Sequence, residues 1–419
     1  MMTEKKWLAV FLCVVCLLSA CACGGASEYA ETEAQSSAVT EFATELETAL
    51  ETELETALAT EPETEPETAP ETDPETELAT ESETLSLEEQ NLAYLAAVSY
   101  HDYALTGENT PYFMGRWFEK EVDGISHMVT LTDGSALYFM IHGATSFDVN
   151  FTVITTTEEP YFAYSIDGAE PVRQHITQPT VTLPDAERHT VRIIADGMTE
   201  GEGKWNEEKG FALRSIIPAE GGTLYGIKPT NKVIFYYGDS ITEGIRALNM
   251  NATSDGNSAT HAYPWYCSRE LGAVTYSIGY GASGVTATGS FNTFQNAIEY
   301  NSNDRRVEDG IKPDVIVINH GTNDAYSGQF QRNLGRAVEL LKTTYPDVPI
   351  VYMIPFLQHE GKSNMIAKVM SDHGGYVVQT SDWNLTYTDG VHPDAAGAET
   401  AGKKLAAALR DILGEDFFS

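Results

Sequence analysis

Residues 233–242 read Val-Ile-Phe-Tyr-Tyr-Gly-Asp-Ser-Ile-Thr, an apolar run that ends at a glycine and then turns polar. A short apolar run closed by a turn residue predicts a buried β-strand, and the residues from Glu243 onward predict a helix. Ser240 then stands at the C-terminal end of a strand, where open α/β sheets bind their ligands. Backbone N–H groups at the helix start could stabilise negative charge beside its hydroxyl. The stretch is equally typical of a plain helix N-cap, so alone it leaves both interpretations open.

Strand-like and helical segments alternate over residues 229–419. The predicted strands are 233–237, 273–279, 314–319, 348–354 and 375–380. Between and after them, apolar residues recur at helical spacing, at Leu334, Val338 and Leu341 and later at Ala401, Leu405, Leu409 and Ile412. This alternation predicts an α/β/α three-layer domain in which helices cover both faces of a parallel sheet.

Residues 91–228 follow a different pattern, in which apolar residues occupy every second position. The clearest case is Phe147, Val149, Phe151 and Val153, which alternate with polar neighbours and predict a strand with one buried face. Turns are predicted at Asp133-Gly134, Asp167-Gly168 and Asp196-Gly197. Many short strands separated by turns predict a β-sandwich domain that is jelly-roll-like. Such domains often bind carbohydrate, but a fold does not establish that function.

Residues 1–20 predict a lipoprotein signal peptide. Lys5 and Lys6 precede an apolar run, residues 7–18, that is short for a membrane span. Leu18-Ser19-Ala20-Cys21 resembles the bacterial lipobox, and this resemblance implies that Cys21 receives a diacylglycerol and anchors the chain. The predicted location is therefore extracytoplasmic, lipid-anchored at the bacterial cell surface. A plain secretory signal and a retained membrane span are the alternatives.

Residues 21–90 predict a disordered acidic linker. From residue 27 onward they hold 21 acidic residues and no Lys or Arg, written as Glu-Thr and Pro-Glu-Thr repeats. Such a tract cannot bury enough apolar surface to offset its ordering entropy, so it is typical of an extended stalk. An acidic interaction tail is the alternative. The whole chain has a formal net charge of −37, which argues against nucleic acid as a partner and restricts membrane contact to the lipid anchor.

Three further polar motifs follow predicted strands of the second domain. They are Gly279-Tyr280-Gly281-Ala282-Ser283-Gly284, Gly321-Thr322-Asn323-Asp324 and Asp389-Gly390-Val391-His392. Each motif alone is also typical of a turn or a helix start. Together with Gly238-Asp239-Ser240, and in this order, they resemble the four motifs of the SGNH (GDSL-type) hydrolases. The resemblance covers essentially all of residues 230–415.

The residue types in these motifs suit ester hydrolysis. A serine hydroxyl is a weak nucleophile at neutral pH, and His392 could remove the proton of Ser240 as it attacks. Asp389 could hold the other ring nitrogen and stabilise the imidazolium. The backbone N–H groups of Ser240 and Gly284 and the side-chain amide of Asn323 could bind the oxyanion. This mechanism requires no cofactor and no metal.

Three neighbouring polar residues have other predicted roles. Asp239 and Asp324 are predicted to fix turns by accepting backbone hydrogen bonds. His320 could be taken for a metal ligand near Asp324, but the chain lacks the preceding Asp-x-His and the further ligands of metallophosphoesterases. Packing at a strand end is the preferred interpretation of His320.

A β-sandwich followed directly by an SGNH domain resembles carbohydrate esterase family 2, and Gly115-Arg116-Trp117 adds to that resemblance. The resemblance implies a carbohydrate acetylesterase that removes O-acetyl groups from plant cell-wall polysaccharide such as acetylated xylan or glucomannan. It also implies an aromatic side chain beside the nucleophile that stacks on a sugar. Trp265, Tyr326 and Trp383 are the candidates, with core packing as the alternative for each.

Three other functions remain open at this point. An SGNH lipase or thioesterase would need an apolar acyl groove, whereas residues 280–293 are rich in Gly, Ser and Thr. A tethered esterase could instead deacetylate the envelope polysaccharide of its own host. A non-catalytic surface carbohydrate-binding protein would have no reason to retain all four motifs. The acetylesterase is therefore the favoured prediction.

Overall fold

The computed structural model describes residues 85–98, 101–155 and 157–418. The predicted signal peptide, the predicted anchor Cys21 and the linker up to residue 84 lie outside these ranges. The predicted linker runs to residue 90, whereas helix α1 (Leu87–Ala97) begins a few residues before that point. Ser86 caps this helix, and the Glu89 side chain binds back to the Ser86 N–H in a capping box. Within the described ranges, no helix combines the length and apolar character needed to cross a membrane.

The described residues up to Pro229 form antiparallel sheets. Their strands are β1 (Tyr103–Glu108), β2 (Tyr112–Met114), β3 (Trp117–Val122), β4 (Ile125–Thr130), β5 (Ala136–His142), β6 (Ser146–Val153), β7 (Tyr161–Ile166), β8 (Val172–His175), β9 (Thr180–Thr182), β10 (His189–Gly197), β11 (Phe211–Pro218) and β12 (Thr223–Pro229). One sheet has the order β1-β12-β5-β10-β7-β8, with β2 beside β5. The other has the order β3-β4-β11-β6-β9. A short helix, α2 (Lys204–Glu207), lies between β10 and β11.

The two sheets share one apolar core, which confirms the predicted β-sandwich. Phe139 on β5 and Ile193 on β10 pack in the same cluster as Phe147 and Val149 on β6. The predicted alternation along β6 ends early, because Val153 is 47% exposed at the end of the strand. The jelly-roll connectivity stays a prediction.

The predicted turn at Asp196-Gly197 is wrong, because both residues belong to β10. The register between β10 and β7 shifts between Ala195 and Gly197, so the strand accommodates the glycine as an irregularity. Asp196 is fully buried and accepts hydrogen bonds from Ser258 Oγ at 3.0 Å and from Arg173 Nε at 2.8 Å. Its carboxylate therefore connects the β-sandwich to the segment around Ser258, which belongs to the second domain.

The remaining strands are β13 (Val233–Gly238), β14 (Val274–Gly279), β15 (Tyr300–Ser302), β16 (Arg305–Arg306), β17 (Val315–Asn319), β18 (Ile350–Met353) and β19 (Tyr376–Val378). The helices are α3 (Ser240–Glu243), α4 (Tyr263–Leu271), α5 (Phe294–Glu299), α6 (Gly328–Thr344), α7 (Glu360–Asp372) and α8 (Ala395–Leu413). β14-β13-β17-β18-β19 form a parallel sheet in that order. The predicted parallel α/β domain is thus confirmed, apart from the small antiparallel pair β15–β16.

Strand register brings the predicted motifs to one edge of this sheet. Gly238 at the end of β13 is level with Gly279 of β14 and with Asn319 of β17. The carboxyl ends of parallel strands meet at the same sheet edge, and ligands bind there. The loops that carry Ser240, Gly284 and Asn323 therefore leave the sheet side by side.

Candidate active site

Ser240 is the first residue of the short helix α3, directly after β13. Asp239 is its N-cap and accepts the Ile241 N–H at 3.1 Å. Gly238 has to be a glycine, because a Cβ there would overlap the Thr242 side chain. The N-cap role considered for this stretch is therefore real, but it belongs to Asp239 and leaves the Ser240 hydroxyl free for another partner.

That partner is His392. Its Nε2 lies 2.9 Å from Ser240 Oγ, and its Nδ1 lies 2.8 Å from Asp389 Oδ2. The serine and the histidine are only 4% and 7% exposed. The tight turn before α8 makes this contact possible, because Gly390 adopts a left-handed φ of +85°. Three side chains that are far apart in sequence thus form one continuous line of hydrogen bonds.

The carboxylate of Asp389 is saturated with donors. Oδ1 accepts the backbone N–H groups of Val391 at 2.9 Å and His392 at 2.8 Å. Oδ2 accepts the His392 ring and also Arg246 Nη1, which lies 2.5 Å away. Partial burial raises the pKa of Asp389, but hydrogen bonds from the backbone and ring of His392, from the Val391 N–H and from Arg246 together hold that pKa well below its usual range. The group is therefore a carboxylate at any pH near neutrality.

Arg246 was not found by sequence reasoning. It follows α3 after a single turn, has a left-handed φ of +55°, and lies 143 positions before its partner. An arginine two residues after Gly244 has no sequence spacing that connects it to a distant aspartate. Only the folded chain shows that it contacts Asp389.

The predicted oxyanion donors differ in their availability. The first N–H groups of a helix have no intrahelical acceptor, so the Ser240 N–H is free to face a ligand. By contrast, the Gly284 N–H donates to Ala287 O at 2.9 Å, and Asn323 Nδ2 donates to Ser283 O at 3.0 Å. An oxyanion role for these two groups therefore requires them to exchange an internal acceptor for the substrate oxygen, as active-site hydrogen bonds often do on binding.

Asp324 joins the loops that carry Gly284 and Asn323. Its carboxylate accepts the N–H groups of Val285 at 2.9 Å and Thr286 at 2.6 Å. A Cβ on Gly284 would overlap this carboxylate, so the position requires glycine. These bonds are of the kind predicted for Asp324 as a structural residue.

Lys362 on α7 was also missed by sequence reasoning. Its ammonium donates to Asp324 O at 2.6 Å and to Gly321 O. It therefore binds backbone carbonyls before and after Asn323 and holds that loop in place. A lysine within a helix of mixed charge gave no signal of this contact. Burial lowers its pKa.

Asp239 and His320 are both buried beneath the site. Burial raises the pKa of Asp239 to about 7 and lowers that of His320 to about 4. The His320 ring packs against Phe294, with ring centroids 4.8 Å apart. Across the described ranges, no three His, Cys, Asp or Glu side chains are grouped so as to hold a metal ion. A neutral, packed histidine fits the preferred interpretation of His320.

The three aromatic candidates fall into two groups. Trp265 and Trp383 are each 6% exposed and belong to apolar cores. The Trp265 ring lies 4.5 Å below the Arg192 guanidinium, and Trp383 packs against Phe356. The alternative of core packing therefore fits both tryptophans, and neither ring is open to a sugar in this structure. Tyr326 is 53% exposed, lies two residues after Asp324, and is the candidate of the three with an open ring.

Comparison with known families gives a match to the parallel-sheet domain. Residues 236–400 match the model of the GDSL-like Lipase/Acylhydrolase family. The resemblance that the four motifs indicated is thereby confirmed. A comparison with curated protein sequences gave no match.

Solved structures match both domains together. A family two carbohydrate esterase from Clostridium thermocellum, in complex with cellohexaose, is 19% identical, covers 73% of this chain and 99% of its own, and has a TM-score of 0.58. An acetyl xylan esterase from the rumen bacterium Butyrivibrio proteoclasticus is 15% identical, with coverage of 77% and 100% and a TM-score of 0.57. The salicylyl-acyltransferase SsfX3 of a tetracycline biosynthetic pathway is 16% identical, with coverage of 74% and 98% and a TM-score of 0.53. At these identities the likeness establishes the fold: a β-rich domain followed by an SGNH-type domain, as in family two carbohydrate esterases.

Proposed function

We propose that this chain is a serine esterase that removes O-acetyl groups from a polysaccharide. The observation that carries the proposal is the line of hydrogen bonds from Ser240 through His392 to Asp389 at the ligand-binding edge of the parallel sheet. The family match over residues 236–400 supports the class of reaction. The carbohydrate esterases with the same two-domain fold support the class of substrate.

The mechanism follows from this geometry. Ser240 Oγ attacks the acetyl carbonyl carbon while its proton passes to His392 Nε2, 2.9 Å away. Asp389 keeps the other ring nitrogen protonated and stabilises the imidazolium that forms. The Ser240 N–H, joined by the Gly284 N–H and the Asn323 amide, binds the oxyanion of the tetrahedral intermediate.

Collapse of that intermediate breaks the bond to the sugar oxygen. His392 returns its proton to this oxygen, so the polysaccharide hydroxyl departs and an acetyl-enzyme on Ser240 remains. Water then attacks the acetyl carbonyl carbon while its proton passes to His392. Collapse of this second tetrahedral intermediate breaks the bond to Ser240 Oγ, and His392 returns the proton to that oxygen. Acetate leaves and Ser240 is restored.

The proposed substrate is acetylated xylan or glucomannan, and the proposed location is the bacterial surface, through a diacylglycerol on Cys21. The structural neighbours include one esterase with bound cellohexaose and one described as an acetyl xylan esterase. The lipobox-like segment and the acidic linker support a tethered enzyme that reaches extended polymers outside the cell.

Release of acetate from acetylated xylan, glucomannan and the cell's own envelope polymers tests the proposal. We expect turnover of p-nitrophenyl acetate and of at least one plant polysaccharide. Preference for long acyl chains would favour the lipase or thioesterase instead, and preference for envelope polymer would move the substrate to the host's own surface. A well-folded protein without any esterase turnover would leave the carbohydrate-binding alternative. Acetate itself is measured, because an acyltransferase shares this fold.

Asn323→Ala tests the oxyanion assignment. We expect kcat to fall on the order of 10²–10³-fold, because one donor to the tetrahedral intermediate is lost. The same change also removes the bond to Ser283 O, so the unfolding temperature is measured in parallel. A decrease in kcat of less than about threefold would rule out the amide as an oxyanion donor.

A further inference from the structure

The helix α2 of the β-sandwich domain reaches the helix that carries Ser240. Lys204, the first residue of α2, forms an ion pair with Glu243, the last residue of α3. Both side chains are completely buried. Because Glu243 follows Ser240 by three residues, this charge contact between the two domains lies one helical turn from the proposed nucleophile.

Glu243 also contacts the loop that leads to Gly284. A Cβ on Gly279 would overlap the backbone N of Glu243, and a Cβ on Gly281 would lie 3.4 Å from Glu243 Oε2. Glu243, at the end of the nucleophile helix, therefore packs directly against the start of the predicted oxyanion loop. A shift of Glu243 would move atoms of that loop as well.

Aromatic packing surrounds the ion pair and excludes water. Trp205, next to Lys204 on α2, packs edge-on against Phe291 with ring centroids 4.7 Å apart. Phe291 in turn stacks on Tyr280 at 4.0 Å, and the Lys204 ammonium lies 5.7 Å from the Tyr280 ring. In such surroundings the attraction between the two charges is only weakly screened.

The charges are arranged so that the lysine stays protonated. Burial alone lowers the pKa of Lys204, but the facing carboxyl groups of Glu243 and Asp133 raise it, and they outweigh burial. Burial raises the pKa of both Asp133 and Glu243. Of these two carboxyl groups, Glu243 is the one that is hydrogen-bonded to Lys204.

A buried ion pair is a poor means of adding stability. Replacing such a pair with apolar side chains of similar volume is often neutral or stabilising, since the charges no longer have to be desolvated. Stability alone therefore does not account for a lysine and a glutamate buried together here. A directional bond between the two side chains can instead fix the position of α3, which carries one of them.

We propose that Lys204 is a positioning residue for the nucleophile: it fixes Glu243, and through Glu243 it holds both the turn that carries Ser240 and the loop that carries Gly284. The β-sandwich domain is then a part of the active site in this chain. This inference rests on the proposed esterase function.

The decisive variant is the double substitution Lys204→Met and Glu243→Met, in the full chain. Each single substitution leaves an uncompensated buried charge and is expected to lower the unfolding temperature, whereas the double variant removes both charges and should recover most of that loss. We expect the double variant to keep kcat for p-nitrophenyl acetate at least about tenfold below the unchanged chain, with KM within about threefold. Recovery of both unfolding temperature and kcat would show that the pair only fills space, and would overturn the proposal.

Two further variants complete the experiment. Lys232→Met is the matched control, because Lys232 pairs with Asp314 at 2.9 Å but is 42% exposed, and kcat should stay unchanged. If the double variant does not fold, the single variant Lys204→Met takes its place, because it removes the bond to Glu243 while Glu243 can be neutralised by taking up a proton, and unchanged kcat there would equally overturn the proposal. If the unchanged chain shows no ester turnover, the proposed esterase function is wrong. If the unchanged chain is active and the double variant has the same kcat, only the role of Lys204 is wrong.

Discussion

Replacing Ser240 with alanine is expected to lower kcat/KM for p-nitrophenyl acetate by at least about 10⁴-fold. The proposed acetyl-enzyme forms on the Ser240 oxygen, which lies 2.9 Å from His392 Nε2. What remains in the variant is substrate binding and oxyanion stabilisation, which are the usual sources of residual turnover when a triad member is lost.

The fold should survive this change. The Ser240 hydroxyl makes one hydrogen bond, to His392, while the N-cap bond of α3 comes from Asp239. The unfolding temperature should therefore stay within about 2 °C, which unfolding monitored by circular dichroism would establish. Thr242→Ser is a suitable control in the same helix, since it retains a hydroxyl opposite Tyr263. Turnover above about one hundredth of the original value in Ser240→Ala would mean that another group is the nucleophile.

The architecture and the central side chains could be predicted because they depend on local signals. The apolar run before Gly238 determines a buried strand, and a strand end followed by a helix determines where Ser240 projects. Asp389 and His392 are three residues apart across a turn, so their mutual contact is also a local matter. Such features depend on the hydrophobic pattern and on contacts between residues that are close in the chain, and both can be read from the sequence.

Contacts between distant segments could not be predicted in the same way. Arg246 and Lys204 reach their partners only because separate loops meet in space. Trp265 and Trp383 have aromatic rings of the kind that stack on sugars, but apolar side chains of the core enclose both rings. In each case the deciding quantity is a distance across the fold.

Asp389→Asn is expected to lower kcat/KM on the order of 10³–10⁴-fold, because a side-chain amide cannot accept all the hydrogen bonds that the carboxylate accepts. Four donors point at the carboxylate: the Val391 and His392 N–H groups at Oδ1, and the His392 ring and Arg246 at Oδ2. An asparagine has one acceptor oxygen, so its NH₂ group must face two donors in either orientation. If the NH₂ group faces the ring, His392 Nδ1 has to be the acceptor, and the proton moves to Nε2. The ring can then no longer take the proton of Ser240.

If the NH₂ group instead faces the backbone, the turn that positions His392 loses both of its hydrogen bonds. Leaving such donors unsatisfied costs about 1–3 kcal/mol of unfolding free energy, so the variant should also be less stable at pH 7. Because the pKa of Asp389 is lowered by folding, the carboxylate stabilises the native state above its unfolded pKa of about 4, and this contribution is lost as the pH falls through the folded value. The difference in unfolding free energy between the unchanged chain and the Asp389→Asn variant should therefore become smaller at acidic pH.

Asp394→Asn provides the matched control for this prediction. Asp394 caps α8 by accepting the Gly397 N–H at 2.8 Å, and asparagine caps helices about as well as aspartate. We expect less than about a twofold change in kcat/KM for this variant. If Asp389→Asn also lost less than about tenfold, the backbone and Arg246 would suffice to orient His392, and the site would function as a Ser-His pair in which Asp389 only shapes the turn.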